Sequence, residues 1–207
     1  MGGLRTPLWS WHREAGARMV DFAGWEMPVQ YQGILEEHGA VRREAGLFDI
    51  SHMGEIRIQG KGARDFLQYL LTHDVGKLVP GRILYSPMCR EDGGTLDDLL
   101  LFQLGEDDYL AVVNAANEEA DDRWMKEKAR DFPGVRVENE SRRYGALALQ
   151  GPLAQAILEG LWWKEAGALR PFRLQDGVTL AGVEGCLISR TGYTGEDGFE
   201  VYAPWEG

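Results

Sequence analysis

The sequence of 207 residues contains little of what marks metal, redox or membrane proteins. Its two cysteines, Cys89 and Cys186, lie far apart, and no Cys-x-x-Cys pair or Cys/His cluster is present. Zinc and iron–sulfur sites therefore have little support, and both thiols are expected to be free and buried. The longest apolar stretch, Leu99–Leu104, contains Gln103 and is too short to span a membrane.

Positive charge is also scarce in this chain. Its 22 Lys and Arg residues stand against 33 Asp and Glu residues, which gives a formal net charge of -11. A chain this acidic repels phosphate backbones, and Arg142-Arg143 is too short to form a basic patch. We therefore expect neither nucleic acid nor a membrane as a partner. The hydrophobic content of 44% is typical of a folded globular protein.

Residues 54–140 show a regular alternation of strand-like and helix-like patterns. They predict a β-α-β-β-β-α-β order, which resembles a ferredoxin-like unit with one extra strand. Hairpin turns between the central strands favour an antiparallel sheet and an α+β fold. The predicted strands are Glu55–Ile58, Ile83–Cys89, Leu96–Gln103, Asp108–Val113 and Val135–Glu138, and the predicted helices are Lys61–Leu71 and Asn117–Arg130.

The flanking regions predict a second set of elements. The earlier part has two predicted helices, at Ser10–Ala17 and Ile34–Ala45, and Gly46 is expected to cap the second one. After residue 140 a helix is predicted at Leu153–Leu161, and strands are predicted at Ala146–Leu149, Val178–Leu180, Gly185–Ser189 and Phe199–Tyr202.

Four polar clusters are candidates for chemistry, and each also has a purely structural interpretation. They are residues Asp49–Glu55, Asp92–Asp98, Val112–Asn117 and Arg190–Glu200. The carboxylates in the second cluster are also consistent with a solvated strand start. The amides in the third are consistent with helix caps, which is the favoured interpretation of Asn117. The glycines in the fourth are consistent with turns, and their spacing does not fit a dinucleotide-binding motif.

Strand alternation separates the two adjacent carboxylates of the second cluster. Asp98 shares a predicted strand face with Leu100 and Phe102, whereas Asp97 lies on the opposite face. Asp98 is therefore the better candidate for a pocket rim. Because the two carboxylates point in opposite directions, they do not suit the paired roles of a glycosidase. His52 has no second histidine nearby, so a core histidine is preferred to a metal ligand.

Taken together, the clusters resemble the T-protein family of aminomethyltransferases. Segments in family order and at family-like spacing cover nearly the whole chain. They are Thr6–Leu8, Gly16–Pro28, Phe48–Glu55, Tyr85-Ser86, Gly93–Asp98, Val112–Asn117, Leu149–Pro152 and Ser189–Glu200.

The resemblance implies an enzyme of the glycine cleavage system, in the cytoplasm or the mitochondrial matrix. Such enzymes take the aminomethyl group from the lipoyl arm of the H-protein. They transfer its methylene to tetrahydrofolate, giving 5,10-methylenetetrahydrofolate and ammonia. The family has three domains around a folate channel. It implies a discontinuous first domain here, at 1–53 and 141–207, a ferredoxin-like domain at 54–140, and a missing third domain, so the fragment alone is expected to be inactive.

Residue roles follow from the resemblance position by position. Asp98 matches the catalytic aspartate, and Glu200 matches a glutamate that binds the donor edge of the pterin. The other matched folate contacts are Met53, Tyr85, Val112, Asn114 and Tyr193. No metal is implied. The folate-contacting arginines of the family would lie beyond residue 207.

Two related functions are alternatives. The first is a non-enzymatic folate-binding factor of iron–sulfur protein assembly, whose Lys-Gly-Cys-Tyr-type motif is replaced here by Arg190–Tyr193, without cysteine. The second is the folate domain of a sarcosine or dimethylglycine dehydrogenase. Those chains carry a flavin domain upstream, whereas this sequence starts at Met1, just before the family's first motif.

Overall fold

The computed structural model describes residues 2–161 and 163–206 of the chain. These residues contain five α-helices and twelve β-strands. In chain order they are α1 (Trp9–Glu14), β1 (Arg18–Phe22), β2 (Trp25–Gln30), α2 (Ile34–Arg43), β3 (Gly46–Asp49), β4 (Gly54–Gln59), α3 (Ala63–Leu70), β5 (Ile83–Cys89), β6 (Thr95–Gly105), β7 (Asp108–Val113), α4 (Glu118–Lys128), β8 (Arg136–Asn139), β9 (Tyr144–Gln150), α5 (Ala154–Gly160), β10 (Leu174–Leu180), β11 (Val183–Ser189) and β12 (Gly198–Pro204).

The chain divides into two compact units. Unit 1 combines Met1–His52 with Arg142–Gly207, and unit 2 is the continuous segment Met53–Ser141. In the part of the chain that the structure describes, no helix has the length and apolar composition needed to cross a membrane.

Unit 2 is a five-stranded antiparallel sheet with the strand order β5-β6-β7-β4-β8. Two helices, α3 and α4, cover one face of this sheet. The first presents Phe66, Leu67 and Leu70, which are fully or nearly fully buried, against sheet residues such as Leu101. Burying each such side chain contributes about 1.5–3 kcal/mol. The predicted α+β class and the β-α-β-β-β-α-β order are confirmed.

Unit 1 contains a second five-stranded antiparallel sheet, with the strand order β10-β11-β12-β9-β3. Helix α5 packs on it through Ala154 and Leu158, which meet a core that includes Phe199 and Val201. These two core residues alternate along β12 with Glu200, so the glutamate lies on the other face of the sheet.

A two-stranded hairpin in unit 1 was not predicted from the sequence. Strands β1 and β2 pair with Phe22 opposite Trp25, and the two residues between them form the turn. Ala23 and Gly24 have φ angles of 52° and 82°. Positive φ at both central residues is typical of the type I′ turn that matches the twist of a hairpin. Because alanine rarely adopts this conformation, Ala23-Gly24 is a weak hairpin signal in the sequence.

The predicted helix cap at Gly46 is wrong. Helix α2 ends at Arg43, and Gly46 is instead the first residue of β3, where it pairs with Gln150 of β9. A Cβ atom at Gly46 would lie 2.5 Å from Cγ2 of Val41. The glycine is therefore required by close packing against the helix rather than by a left-handed cap conformation.

Candidate functional site

The sequence-predicted site residues are divided between the two units. Unit 2 contains Met53, Tyr85, Asp98, Val112 and Asn114, and unit 1 contains Tyr193 and Glu200.

Asp98 lies on the face of the unit 2 sheet that α3 and α4 leave uncovered. Strand register places Pro87 opposite Asp98, and Tyr85 opposite Leu100, so Tyr85 and Asp98 share that face. Both side chains are exposed, and the Tyr85 hydroxyl donates a 2.8 Å hydrogen bond to Oδ2 of Asp98. This hydrogen bond and the charge of Asp98 raise the pKa of Tyr85, so the phenol stays protonated and holds the carboxylate.

Two of the other matched positions of unit 2, Val112 and Asn114, lie close to this carboxylate in the fold. Val112 of β7 pairs with Leu100 of β6 and is therefore on the same face, where only 4% of it is exposed. Met53 is half-buried and directly precedes β4. Asn114 directly follows β7, and its side-chain nitrogen donates to the main-chain oxygen of Asp98 at 3.0 Å. The structure thus brings Val112 and Asn114 next to Asp98, and Met53 precedes β4, the strand that pairs with β7.

Asp97 has a role that the sequence did not reveal. It is only 4% exposed and lies on the helix-covered side of β6. Its Oδ2 accepts the backbone N–H of Asn114 at 2.9 Å. Its Oδ1 accepts the side-chain amides of Asn114 at 2.9 Å and of Asn117 at 2.7 Å. The expected side-chain cap at Asn117 is therefore not formed, because its amide binds Asp97 instead.

Asp121 of α4 is a second buried carboxyl group, and it interacts with Asp97. It is 1% exposed, on the first turns of α4, one turn after Asn117. Burial, together with the hydrogen bond and charge of Asp97, raises the pKa of Asp121 to about 8. At neutral pH Asp121 is therefore largely a neutral acid that can donate its proton to Asp97. Residues four apart lie on the same side of a helix, so the spacing from Asn117 places Asp121 on the side of α4 that Asn117 shares.

In unit 1, Glu200 lies in a buried cluster of hydroxyl groups. The hydroxyls of Thr191 and Tyr202 donate to its Oε2 at 2.7 Å and 3.1 Å. The Ser189 hydroxyl lies 2.6 Å from that of Thr191. Glu200 is 4% exposed, and this burial raises its pKa while the hydroxyls act in the opposite direction. Glu200 is thus a buried carboxyl group that accepts hydrogen bonds from neighbouring hydroxyls.

Tyr193 lies in the turn between β11 and β12, and 71% of it is exposed. The turn is held from inside by the buried Gln150. Its Nε2 donates to the main-chain oxygen of Thr191 at 3.1 Å, and its Oε1 accepts from the Thr194 hydroxyl at 3.0 Å. The glycine-rich cluster is therefore a turn, as its structural interpretation proposed, and the turn presents a tyrosine ring outwards.

The surroundings of the remaining candidate residues, His52 and the two cysteines, indicate structural roles. His52 packs edge-on against Phe22 with ring centroids 5.5 Å apart, and burial lowers its pKa, which favours the neutral ring of a core histidine. Among the residues that the structure describes, no three His, Cys, Asp or Glu side chains group in a way that could hold a metal ion. Both cysteines are free; Cys186 is buried as expected, whereas Cys89 is only half-buried.

Comparison with known proteins identifies the family. Residues 8–207 match the family described as GCVT N-terminal domain. The chain belongs to this family. Its relatives include an aminomethyltransferase of Geobacillus thermodenitrificans, 56% identical over 98% of this chain and 54% of the relative. An aminomethyltransferase of Bacillus subtilis is 51% identical over 96% of this chain and 54% of the relative. The chain thus spans about half the length of these curated relatives.

Solved structures support the same fold. The chain is similar to the crystal structure of glycine cleavage system aminomethyltransferase T from Bartonella henselae, with a TM-score of 0.88 and 39% identity, over 97% of this chain and 54% of that one. It is also similar to heterotetrameric sarcosine oxidase from Corynebacterium sp. U-96, with a TM-score of 0.60 and 16% identity. At that identity the second likeness concerns the fold alone. The predicted family and fold are therefore confirmed.

Proposed function

We propose that this chain is the folate-binding half of an aminomethyltransferase of glycine cleavage. The complete enzyme would transfer the methylene of the aminomethyl group on the lipoylated H-protein to tetrahydrofolate. The products would be 5,10-methylenetetrahydrofolate, ammonia and dihydrolipoyl H-protein. The observation that carries this proposal is the Asp98 carboxylate, which Tyr85 holds in place on the sheet face opposite α3 and α4. The family and the names of its relatives support it.

The proposed chemistry explains why a fixed carboxylate is useful. Departure of the lipoyl thiolate would leave an iminium, CH2=NH2+, which a folate nitrogen would attack. Expulsion of ammonia would then place positive charge on that nitrogen until the second folate nitrogen closes the methylene bridge. A carboxylate beside the nitrogen stabilises this charge and accepts or relays the proton that leaves. Asp98 suits this role because it is exposed and because the Tyr85 hydroxyl, which stays protonated, orients it without neutralising it.

Glu200 suits the recognition of a pterin. The amidine edge of a pterin presents a ring N–H and an exocyclic amine, which are donors in parallel. A carboxylate has about four acceptor directions, and the hydroxyls of Thr191, Tyr202 and Ser189 take up to three of them. Acceptor capacity therefore remains for a ligand. Tyr193 supplies an exposed aromatic ring, which is suited to the flat apolar parts of folate.

No observation favours one of the two alternatives. The iron–sulfur assembly factors carry a cysteine where this chain has Gly192 within Arg190–Tyr193, and the free thiols lie elsewhere, at Cys89 and Cys186. The likeness to sarcosine oxidase reaches only the fold. Tetrahydrofolate as co-substrate, the H-protein as partner and a cytoplasmic location are parts of the proposal.

The test separates binding from turnover. Tetrahydrofolate is titrated against the 207-residue chain and against the full-length gene product by calorimetry. Ammonia release is then measured from aminomethyl-lipoyl H-protein with and without tetrahydrofolate. We expect folate-dependent ammonia release from the full-length product and none near that rate from the 207 residues alone. A full-length product that binds no tetrahydrofolate, or releases ammonia equally well without it, would rule out the proposed function.

A further inference from the structure

The acceptor-only partners of Asn114 determine how its side-chain amide is oriented. Its Nδ2 lies 2.9 Å from Oδ1 of Asp97 and 3.0 Å from the main-chain oxygen of Asp98. A carboxylate and a peptide carbonyl can only accept, so both must receive hydrogens from the amide nitrogen. The two Nδ2 hydrogens are thereby used within the protein. The amide oxygen is the group of Asn114 that remains for a ligand.

The Asp97 carboxylate is itself held from several directions. It receives the backbone N–H and the amide of Asn114 as well as the amide of Asn117. Three N–H donors on its two oxygens fix the orientation of the Asp97 carboxylate. Burial, together with the hydrogen bond and charge of Asp97, raises the pKa of Asp121, so a neutral Asp121 carboxyl can add a further donor. Asp97 is almost completely buried, so water does not compete for these positions.

We propose that Asp97 is a positioning residue that locks Asn114 as a hydrogen-bond acceptor toward the folate. This inference rests on the proposed function. Asn114 then selects ligands that bring an N–H donor to this point, such as the ring or linking amines of a reduced folate. A ligand with only an acceptor there would meet the amide oxygen and be rejected, because two acceptors cannot pair.

Replacing Asp97 by asparagine tests the lock directly. Asparagine offers one acceptor oxygen to the donors of Asn114 and Asn117, and it adds a competing N–H₂ group. The Asn114 amide is then free to turn over and present its nitrogen to the ligand. For D97N in the full-length gene product we expect the Kd for tetrahydrofolate to rise by about tenfold, as for the loss of one charged hydrogen bond.

A double-mutant cycle separates positioning from a structural effect. If Asp97 acts on folate through Asn114, D97N should change the Kd by less than about twofold once Asn114→Ala is present. Asn139→Ala is the matched control, because the Asn139 side chain binds Glu118 and Ser141 of the same unit rather than Asp97. Equal Kd values for D97N and the unmodified protein, or an undiminished effect of D97N in the N114A background, would overturn the inference.

A measurement on the unmodified protein keeps the inference testable if D97N does not fold. Both Asn114 side-chain amide hydrogens are bonded within the protein, whereas the exposed Asn139 amide makes one hydrogen bond, to Glu118. NMR should therefore show that the Asn114 amide hydrogens exchange with water at least about tenfold more slowly than those of Asn139. Equal exchange rates would mean that Asp97 does not hold the amide. If the unmodified full-length product binds no tetrahydrofolate, the proposed function fails, whereas normal binding with a fast-exchanging Asn114 amide defeats this inference alone.

Discussion

The Tyr85 hydroxyl donates a 2.8 Å hydrogen bond to Oδ2 of Asp98 across the β5–β6 pair. The two residues are not directly opposite each other in the register; they are diagonal neighbours on one sheet face, within reach of a tyrosine side chain. This contact fixes one oxygen of an exposed carboxylate and leaves the other accessible. It links the two sequence motifs that the family resemblance singled out separately.

The first prediction concerns Asp98. Asp98→Asn keeps the shape of the side chain but removes its charge, so in the full-length gene product it should lower the rate of methylene transfer by about 10²–10⁴-fold. Folate affinity should change much less, because the charge acts mainly after the ground state. Stopped-flow measurement of 5,10-methylenetetrahydrofolate formation gives the rate, and calorimetry gives the Kd.

The matched control for Asp98 is Asp107→Asn, in the exposed turn after β6. Asp97→Asn, which strand alternation alone would suggest as a mild control, is unsuitable because Asp97 is buried and holds two amides. A near-normal rate for D98N, with D107N equally active, would remove Asp98 from the chemistry.

The second prediction concerns Tyr85. Tyr85→Phe retains the aromatic ring but loses the hydrogen bond that orients the Asp98 carboxylate. We expect kcat to fall by about fivefold, as for the loss of one typical hydrogen bond, with little change in the KM for folate. Tyr69→Phe, which loses another exposed hydroxyl in unit 2, serves as the control. A KM that rises while kcat stays constant would show that Tyr85 acts as a binding wall instead.

The third prediction concerns Glu200. Glu200→Gln removes the charge and converts one acceptor into a donor, so tetrahydrofolate affinity should decrease by about 1.5–3 kcal/mol. Glu184→Gln, on the exposed part of β11, is the control with the same chemical change. Both proteins are titrated by calorimetry under the same conditions. If E200Q and E184Q bind tetrahydrofolate equally well, Glu200 does not contact the pterin.

The fourth prediction is a pH dependence of stability due to Asp121. Its pKa is raised from 3.8 in the unfolded chain to about 8 in the folded protein. Between these values the folded state keeps a proton that the unfolded state has lost. The contribution of Asp121 to stability is therefore greatest below about pH 4, decreases as the pH rises, and becomes constant above about pH 8.

Asp121→Asn removes this titration while keeping an N–H donor for Asp97. The stability of D121N relative to the unmodified protein should therefore increase steadily from about pH 4 to about pH 8. Urea unfolding at several pH values measures this difference, and all groups shared by the two proteins cancel. Asp131→Asn, an exposed carboxyl, should give a flat difference. A flat difference for D121N as well would show that Asp121 is ionised in the folded protein.

Most of unit 2 could be predicted from the sequence, because its signals are local. Alternating patterns predicted β5 and β7 with their observed bounds, and helical spacing predicted the buried face of α3. The alternation also placed Asp98 and Asp97 on opposite faces, as observed. In unit 1 no sequence signal pointed to β1 and β2, since their turn relies on Ala23 in an unusual conformation.

The buried carboxyl pair could not be predicted in the same way. Asp97 and Asp121 are 24 positions apart in the sequence. Each lies in a segment rich in Asp and Glu, which are usually exposed to solvent. Their pairing depends on how α4 packs against β6, which is a tertiary property. The same holds for Asn117: its position before α4 was predicted, but its side chain binds a strand residue rather than the helix end.

The last prediction concerns the glycines around Gln150, which is completely buried in unit 1. A Cβ atom at Gly192 would lie 2.0 Å from Oε1 of Gln150, and one at Gly198 would lie 2.3 Å from its Nε2. Neither glycine has a positive φ, so close packing alone excludes a side chain there. Gly192→Ala or Gly198→Ala must displace the Gln150 amide, which would break its hydrogen bonds to the turn that carries Tyr193.

We expect each of these two substitutions to destabilise the protein by about 1–3 kcal/mol, as measured by urea unfolding. Gly160→Ala is the matched control: it lies at the end of α5, where an added Cβ would meet no atom within 4 Å, and it should be neutral or slightly stabilising. Gln150→Ala combined with Gly192→Ala distinguishes a clash from backbone strain, because removing the amide makes room for the new methyl group. If Gly192→Ala is as costly with alanine at position 150 as with glutamine, the clash is not the reason for the glycine.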